Sequence, residues 1–528
     1  MRKNTMKVNK YFNLFIIFLS CCKFANSAKI LAIFPYPGPS QYILVQPYLK
    51  ALAFKGHEMT VINAHPQTQQ IKNYRDILVM DVHQDYEEFI KSLNARSRSA
   101  WEELTYFADF YCNISQTLLK SSAVQDIIKK ESYDLVIVEA LNLDAIYALA
   151  KHFEAPLIGV SSFGTDFIID DLMGNVSPCA YAPLHTLGFT ENMSFSQRLQ
   201  NMYWYILSHV HNYWVHVPKQ QHLVRKYLPH LSSDLWQIRS NFSLMLLNQH
   251  FSLSFARPYV PNMIEVGAFH VETKSSILPS TLNEFLNASP YTEVIYFSLG
   301  SNMKSKDLSS SVLSLINEVF GSLPYKILWK FEDSHLTNKA DNVFISAWFP
   351  QTDILASPRV KLFITHGGLL STIESIYHGK PLLGLPLFYD QETNVNRAQQ
   401  MGFALSLDIN NLTKASFRET ILEMMTNNKY EQKVKEISQI YHDQPIKPID
   451  LAIYWTEYIL RHRGAYHMQT KAQKMSFTKK HSLDILAVMV TGAFALVILC
   501  CCLIIKFIKA NVKKIMSNTK QKPLKKIQ

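Results

Sequence analysis

The chain has 528 residues, 48% of them apolar, with 53 Lys and Arg against 42 Asp and Glu and a formal net charge of +11. That length predicts more than one domain with sizeable cores. The charge sits at the ends: five basic residues precede residue 28 and eight lysines follow residue 505, and without them +11 becomes −2. The basic balance is therefore no sign of a nucleic-acid partner.

In chain order, Met1–Lys10 is basic, Tyr11–Cys22 apolar and Ala25-Asn26-Ser27 small, so residues 1–27 read as a secretory signal peptide. Lys29–Pro35 reads as a buried parallel strand, then a Pro37-Gly38-Pro39-Ser40 loop, a helix over Gln41–Lys55 stopped by Gly56, and a strand over Glu58–Ile62. Tyr133–Glu139 and Pro156–Val160 read as central strands around a helix Asp144–Phe153, which argues for a doubly wound sheet. Met193–Val217 is rich in Tyr and Trp. A buried helix is the first reading there, and a surface helix resting on a bilayer leaflet the second.

Asn241–Asn248 and Pro261–Val266 close a first domain, residues 28–270, and residues 271–290 read as a linker. A second domain, residues 291–465, starts with the strand Glu293–Leu299, the turn Gly300-Ser301-Asn302 and a helix Asp307–Phe320. Tyr325–Phe331, Val343–Ser346, Val360–Thr365 and Pro381–Pro386 supply further strands, and Leu412–Asp443 and Asp450–His462 are helical. After a stalk at 466–484, residues 485–505 form an uncharged run long enough to cross a bilayer. The lysines of 506–528 place that tail in the cytosol and the body in the lumen.

Chemistry concentrates at Val360–Asn394, where strand, turn and helix meet at His366-Gly367-Gly368. Glycines without Cβ atoms and a helix N-terminus suit an anion. Ser371 and Glu374 follow on one helix face, where a carboxylate would accept from two ribose hydroxyls. The ordinary alternative is a crossover whose glycines merely let helix and sheet pack.

The pattern extends beyond two glycines. Trp348-Phe349-Pro350-Gln351, then Phe363, Thr365, His366, Gly367, Gly368, Ser371, Glu374, Pro381 and Pro386, then Asp390, Gln391 and Asn394, together resemble the signature of the UDP-glycosyltransferase family. The resemblance implies an α/β fold of two Rossmann-like domains facing a cleft (GT-B type), with a C-terminal transmembrane helix. It implies that Trp348 stacks on uracil, that Gln351 bonds base or ribose, that Ser301, His366 and Gly368 hold the diphosphate, that Glu374 binds the ribose, that Asp390 and Gln391 bind sugar hydroxyls, and that Ser371 belongs to the same donor-binding set. The UDP-sugar is then a co-substrate, with no separate cofactor and no metal.

The family also places a histidine after the first strand as general base, with a partner carboxylate after the YDLVIVE strand. Here that position is Gln41, whose amide takes up no proton at neutral pH. Glu139 matches the carboxylate by position, with Asp144 second; His65 and His152 are substitutes for the base only in principle. Losing the base costs about 10²- to 10⁴-fold in rate, least for amines and acidic phenols or thiols. The expected partners are a UDP-sugar donor, a small lipophilic acceptor and a membrane, and not nucleic acid; a homo-oligomer stays open. Asn302 and the DQETN string resemble invertebrate members and imply UDP-glucose. The alternative class is a non-catalytic UDP-sugar-binding membrane protein.

Lys525-Lys526 resembles a dilysine retrieval signal of the endoplasmic reticulum. Cys112 and Cys179 would be the lumenal cysteines, free to pair in an oxidising compartment. Sequons occur at Asn113, Asn192, Asn241 and Asn411, with Asn175 and Asn287 disfavoured by a proline after the serine.

Overall fold

The computed structural model describes residues 27–519 except 68, 85, 96–97, 272–278 and 288–292. The signal peptide up to residue 26, half of the linker and the dilysine pair lie outside the described residues. Two parallel sheets form. The first holds β1 (Lys29–Phe34), β2 (Glu58–Asn63), β3 (Tyr74–Leu78), β4 (Leu135–Glu139), β5 (Leu157–Ser161), β6 (Phe242–Leu247) and β7 (Met263–Glu265), in the order β3-β2-β1-β4-β5-β6-β7. The second holds β8 (Val294–Ser298), β9 (Lys326–Lys330), β10 (Val343–Ser346), β11 (Val360–Thr365), β12 (Leu382–Gly384) and β13 (Ala404–Ser406), in the order β10-β9-β8-β11-β12-β13.

The strand sequences explain this layering. Along β1, Leu31 and Ile33 pack into one core while Ile30, Ala32 and Phe34 pack into another, so helices cover both faces and the strand is apolar throughout. Each sheet reverses its order once, between β1 and β4 and between β8 and β11. Ligand crevices open at such reversals, at the carboxyl ends of the strands.

Helix α1 (Pro39–Phe54) follows β1 and starts two residues earlier than expected, because Pro39 suits the first turn. Helix α2 (Ala100–Lys120) and helix α3 (Asp144–His152) cover the first sheet. The edge strands β3 and β13 were not anticipated: Tyr74–Leu78 is only half-buried and Ala404–Ser406 is three residues long. The helical stretch expected over Leu412–Asp443 is two helices, Lys414–Thr426 and Lys429–His442, broken at Asn427-Asn428.

Two expectations need larger corrections. The aromatic segment is not core. In helix α4 (Phe195–His211) the buried residues are Asn201, Tyr205, Ser208 and His211, while Phe195 is 74% exposed and Trp214, just beyond the helix, 70%. The expected stalk does not begin at residue 466. Ala465, Met468 and Gln473 are buried, and Gln469 and Gln473 both donate to the Phe242 carbonyl, which ties this stretch to the start of β6. Helix α5 (Pro448–Arg461) crosses the first sheet on the way, where the Tyr48 and Thr456 hydroxyls lie 2.6 Å apart.

Residues 474–528 form a separate unit. Within it Leu483–Ser517 is one helix, an 18-residue stretch of which has a mean hydropathy of 2.9 with none of its residues buried, long and apolar enough to cross a membrane. Cys112 and Cys179 are free thiols, so the pair left open by the sequence does not form. The Asn175 sequon is buried, its amide donating to Asp170 and to the Pro258 carbonyl; Asn113, Asn192 and Asn411 are exposed.

Candidate active site

A cavity of about 280 Å³ lies where the carboxyl ends of the two sheets face each other. Tyr36, Ser40 and Gln41 after β1, Ser162 and Phe163 after β5, and Phe107 and Tyr111 of α2 line one wall. The other wall carries Ser301 after β8, Lys330 at the end of β9, Trp348 and Gln351 after β10, His366, Gly368, Ser371 and Glu374 after β11, and Asp390 and Gln391 after β12. All nine donor-side residues expected from the sequence therefore meet in one cavity. Lys304 to Glu87 (2.9 Å) and Thr393 to the His185 carbonyl (2.8 Å) tie the two walls together.

The glycine corner is built differently from expectation. A Cβ on Gly300 would lie 2.4 Å from the His366 ring, and one on Gly368 2.5 Å from it. Both glycines thus make room for an imidazole. Gly367 does not line the cavity; its φ of +81° turns the chain, and a Cβ there would strike Val395. Burial, aided by the nearby Lys330, pushes His366 down to about 4, so it is neutral at physiological pH. Thr365 Oγ1 and the ring Nδ1 lie 3.1 Å apart; in the tautomer in which the hydroxyl donates, Nε2–H is the donor that remains. Helix α6 (Leu369–Tyr377) begins beside it and offers first-turn N–H groups without intrahelical partners.

Glu374 is held from two sides. Its Oε2 accepts from Gln351 Nε2 (2.9 Å), which also reaches Ser371 Oγ (3.3 Å), and its Oε1 accepts from His270 Nε2 (3.0 Å). Gln351 in turn accepts from the Tyr296 hydroxyl (3.3 Å). Each carboxylate oxygen keeps a lone pair for a further donor. Trp348 is 57% exposed, with the Lys330 ammonium 5.7 Å from its ring centre. Gln391 Oε1 accepts from the Leu387 and Phe388 amides, which leaves its NH₂ group to act as a donor. Asp390 is buried, which raises its carboxyl, and accepts from Asn394 (2.7 Å).

The acceptor side is sparser in polar contacts. Gln41 is buried at the cavity wall, and its Oε1 accepts from Ser40 Oγ (2.8 Å). Glu139, at the end of β4, does not line the cavity; neither of its oxygens is bonded among the described residues, and burial pushes it up to about 8. Asp144 does not reach the cavity. Burial alone would raise its carboxyl, but Arg239 (2.7 Å) and His216 (2.6 Å) hold it at about 2, as a buried ion pair beneath α3. His152 pairs with His230 (2.7 Å), and His65 stacks on Tyr42; neither lines the cavity.

Sequence reasoning missed Lys330, His270 and Tyr389. Lys330 carried a signal, a cation closing the apolar strand KILWK at its carboxyl end. His270 carried none, since nothing local pairs it with a carboxylate 104 positions away.

The chain matches the family described as UDP-glucoronosyl and UDP-glucosyl transferase over residues 28–522. It is 32% identical to UDP-glucosyltransferase 2 of Dactylopius coccus, over 95% of this chain and 96% of that one. It is 28% identical to human 2-hydroxyacylsphingosine 1-beta-galactosyltransferase, over 97% of this chain and 94% of that one. Among solved structures, the calicheamicin glycosyltransferase CalG4 superposes with a TM-score of 0.55 at 15% identity, covering 83% of this chain and 99% of that one, which bears on the fold alone. The chain belongs to the UDP-glucoronosyl and UDP-glucosyl transferase family, and is a GT-B glycosyltransferase that moves a hexosyl group from a UDP-sugar to an acceptor.

Proposed function

We propose that this enzyme transfers glucose from UDP-glucose, with inversion, to small lipophilic acceptors that need little help in losing a proton. The observation that carries the reading is the contrast across one cavity: a donor wall rich in oriented polar side chains faces an acceptor wall with no imidazole. Uracil stacks on the open face of Trp348, the ribose hydroxyls donate to Glu374, and the diphosphate lies against His366, Ser301, Lys330 and the start of α6. The glucose hydroxyls meet Asp390 and Gln391. Phe107, Tyr111 and Phe163 supply an apolar surface for the acceptor.

The acceptor heteroatom attacks the anomeric carbon on the face opposite the diphosphate. The new bond forms as the C1–O bond to UDP breaks. Charge develops on the departing phosphate oxygen, where His366 Nε2–H, the helix N-terminus and Lys330 stabilise it. Gln41 hydrogen-bonds the acceptor but takes no proton, and Glu139, pushed up to about 8, is mostly protonated at pH 7. An amine attacks through its lone pair and sheds its proton to water afterwards, and an acidic phenol or thiol arrives already ionised. Aliphatic alcohols suffer most.

Residues 485–505 anchor the enzyme in the endoplasmic reticulum membrane with the body lumenal, in keeping with the lysines that follow and the exposed sequons. The test uses solubilised protein, labelled UDP-glucose and a panel of amines, phenols, thiols and alcohols. Products from amines and acidic phenols, with inverted anomeric configuration, support the reading. UDP-glucose binding with no product from any acceptor overturns it, and faster turnover with UDP-galactose or UDP-glucuronate corrects the donor.

A further inference from the structure

Helix α4 is amphipathic in the wrong sense for a soluble body. Its inward face is polar: Asn201 donates to the Cys179 and Ala182 carbonyls and accepts from the Leu184 amide, and Ser208 and His211 are buried beside it. Its outward face carries Phe195, Leu199, Met202, Ile206 and Val210, recurring every three or four residues and all exposed, and Trp214 continues the stripe. A contiguous apolar strip of this kind marks an interaction surface.

Two further observations identify the partner. From Asn192 to Ser233 the sequence has no Asp or Glu; Lys219 is paired with Asp109, and Arg198, Arg225 and Lys226 remain, a composition suited to lipid headgroups rather than to a basic or neutral protein face. The chain also leaves the body beside this helix. Gln473, the last residue of the compact body, packs so closely on Gly174 that a Cβ there would lie 2.2 Å from its backbone nitrogen. Gly174 caps the short helix Phe167–Met173, and the Phe167 ring meets Tyr205 (5.8 Å) and His209 (5.1 Å) of α4. That helix is roughly 10 Å long. Residues 474–482 then span at most about 30 Å before the apolar helix starts at Leu483.

We propose that the Phe195–Trp214 face docks on the lipid bilayer, so that the body lies on the membrane surface instead of hanging from its anchor; this rests on the membrane-anchored reading above. Phe107 and Tyr111, which line the acceptor end of the cavity, belong to α2, the helix packed against α4. The docked helix therefore puts the acceptor end close to the phase in which lipophilic acceptors dissolve.

The apolar span Leu483–Ser517 contains no tryptophan, so quenching by brominated lipid reports on the body alone. The full chain is reconstituted in phosphatidylcholine vesicles with brominated acyl chains, with and without anionic lipid. Strong tryptophan quenching is expected, deeper with anionic lipid and at least halved in Trp214→Phe. The triple variant Phe195→Ser, Leu199→Ser, Ile206→Ser changes only exposed positions. It should lose most of the quenching, keep turnover of a water-soluble acceptor, and show about a tenfold higher KM for a vesicle-borne one. Wild-type protein that floats with the vesicles yet is unquenched overturns docking and leaves the anchor standing. Protein that alkaline carbonate strips from the vesicles overturns the anchor itself. Unchanged quenching in the triple variant with a smaller sedimenting species means a second copy of the chain covers this face, and the proposal fails.

Discussion

Two buried carboxylates, Glu374 at the cavity and Glu139 behind it, have opposite surroundings. Glu374 lines the cavity and has Gln351 and His270 as donors, whereas Glu139 has no bonded partner among the described residues and is raised to about 8 by burial alone. Donors fix a buried carboxyl in position, whereas one buried without them keeps its proton. The donor half is thus built to hold a fixed ligand. The acceptor wall presents Gln41, Ser40 and aromatic rings, with no imidazole among the described lining residues.

The largest expected effect comes from placing an imidazole on that wall. Gln41→His should raise turnover of aliphatic alcohols about 10²- to 10⁴-fold while changing amine turnover little, and should introduce an ionisation near neutrality into the kcat/KM profile. Equal gains for all acceptors would break the comparison. Removing the cation from the other carboxylate of this region, in Arg239→Met, should destabilise the protein by about 3–5 kcal/mol in thermal or denaturant unfolding, because it leaves Asp144 buried beside His216 alone. Activity per folded molecule should survive, since this pair does not touch the cavity.

On the donor side, Glu374→Ala should weaken UDP binding by about 10- to 100-fold, in line with about 1.5–3 kcal/mol for hydrogen bonds to a charged group, as read by titration calorimetry. His270→Phe should cost less, about tenfold, through a Glu374 that is no longer oriented. That penalty should vanish with 2′,3′-dideoxy-UDP as the probe, whereas a merely structural role for His270 would penalise both nucleotides alike.

The pH dependence of stability sharpens the contrast further. The Glu139 carboxyl, raised in the folded state, binds a proton between about 4.5 and 8 that the unfolded chain has lost. Stability therefore falls as pH rises through that window. Asp144, held at about 2, works the other way: its contribution is present above pH 4 and lost as pH falls through 2. Glu139→Gln should flatten the first slope and leave the second; melting temperatures measured from pH 2 to 9 report both.

Much of the donor wall was legible because its residues are tied to one strand-turn-helix unit, where spacing in sequence is spacing in space. His366, Gly368, Ser371 and Glu374 fall within nine positions, and Trp348, Gln351, Asp390 and Gln391 flank them at neighbouring strand ends. The acceptor wall gathers Gln41, Phe107, Tyr111 and Phe163 from three elements that no local spacing connects. The aromatic helix was misread for a related reason. Tyr and Trp content predicts burial against something, but not whether protein or lipid supplies it.

The one-dimensional order of residues alone determined the parallel sheets, the grouping of the donor-wall residues, the glutamine at position 41 and the apolar run near the C-terminus, since each depends on residue type at short range. Only the folded chain decided that Asp144 belongs to Arg239 and His216, that His270 steadies Glu374, that residues 466–473 lie against the first sheet, and that α4 turns its apolar side outward. Those outcomes depend on which distant group arrives to neutralise a charge or cover a face, and chain topology settles that, not local propensity.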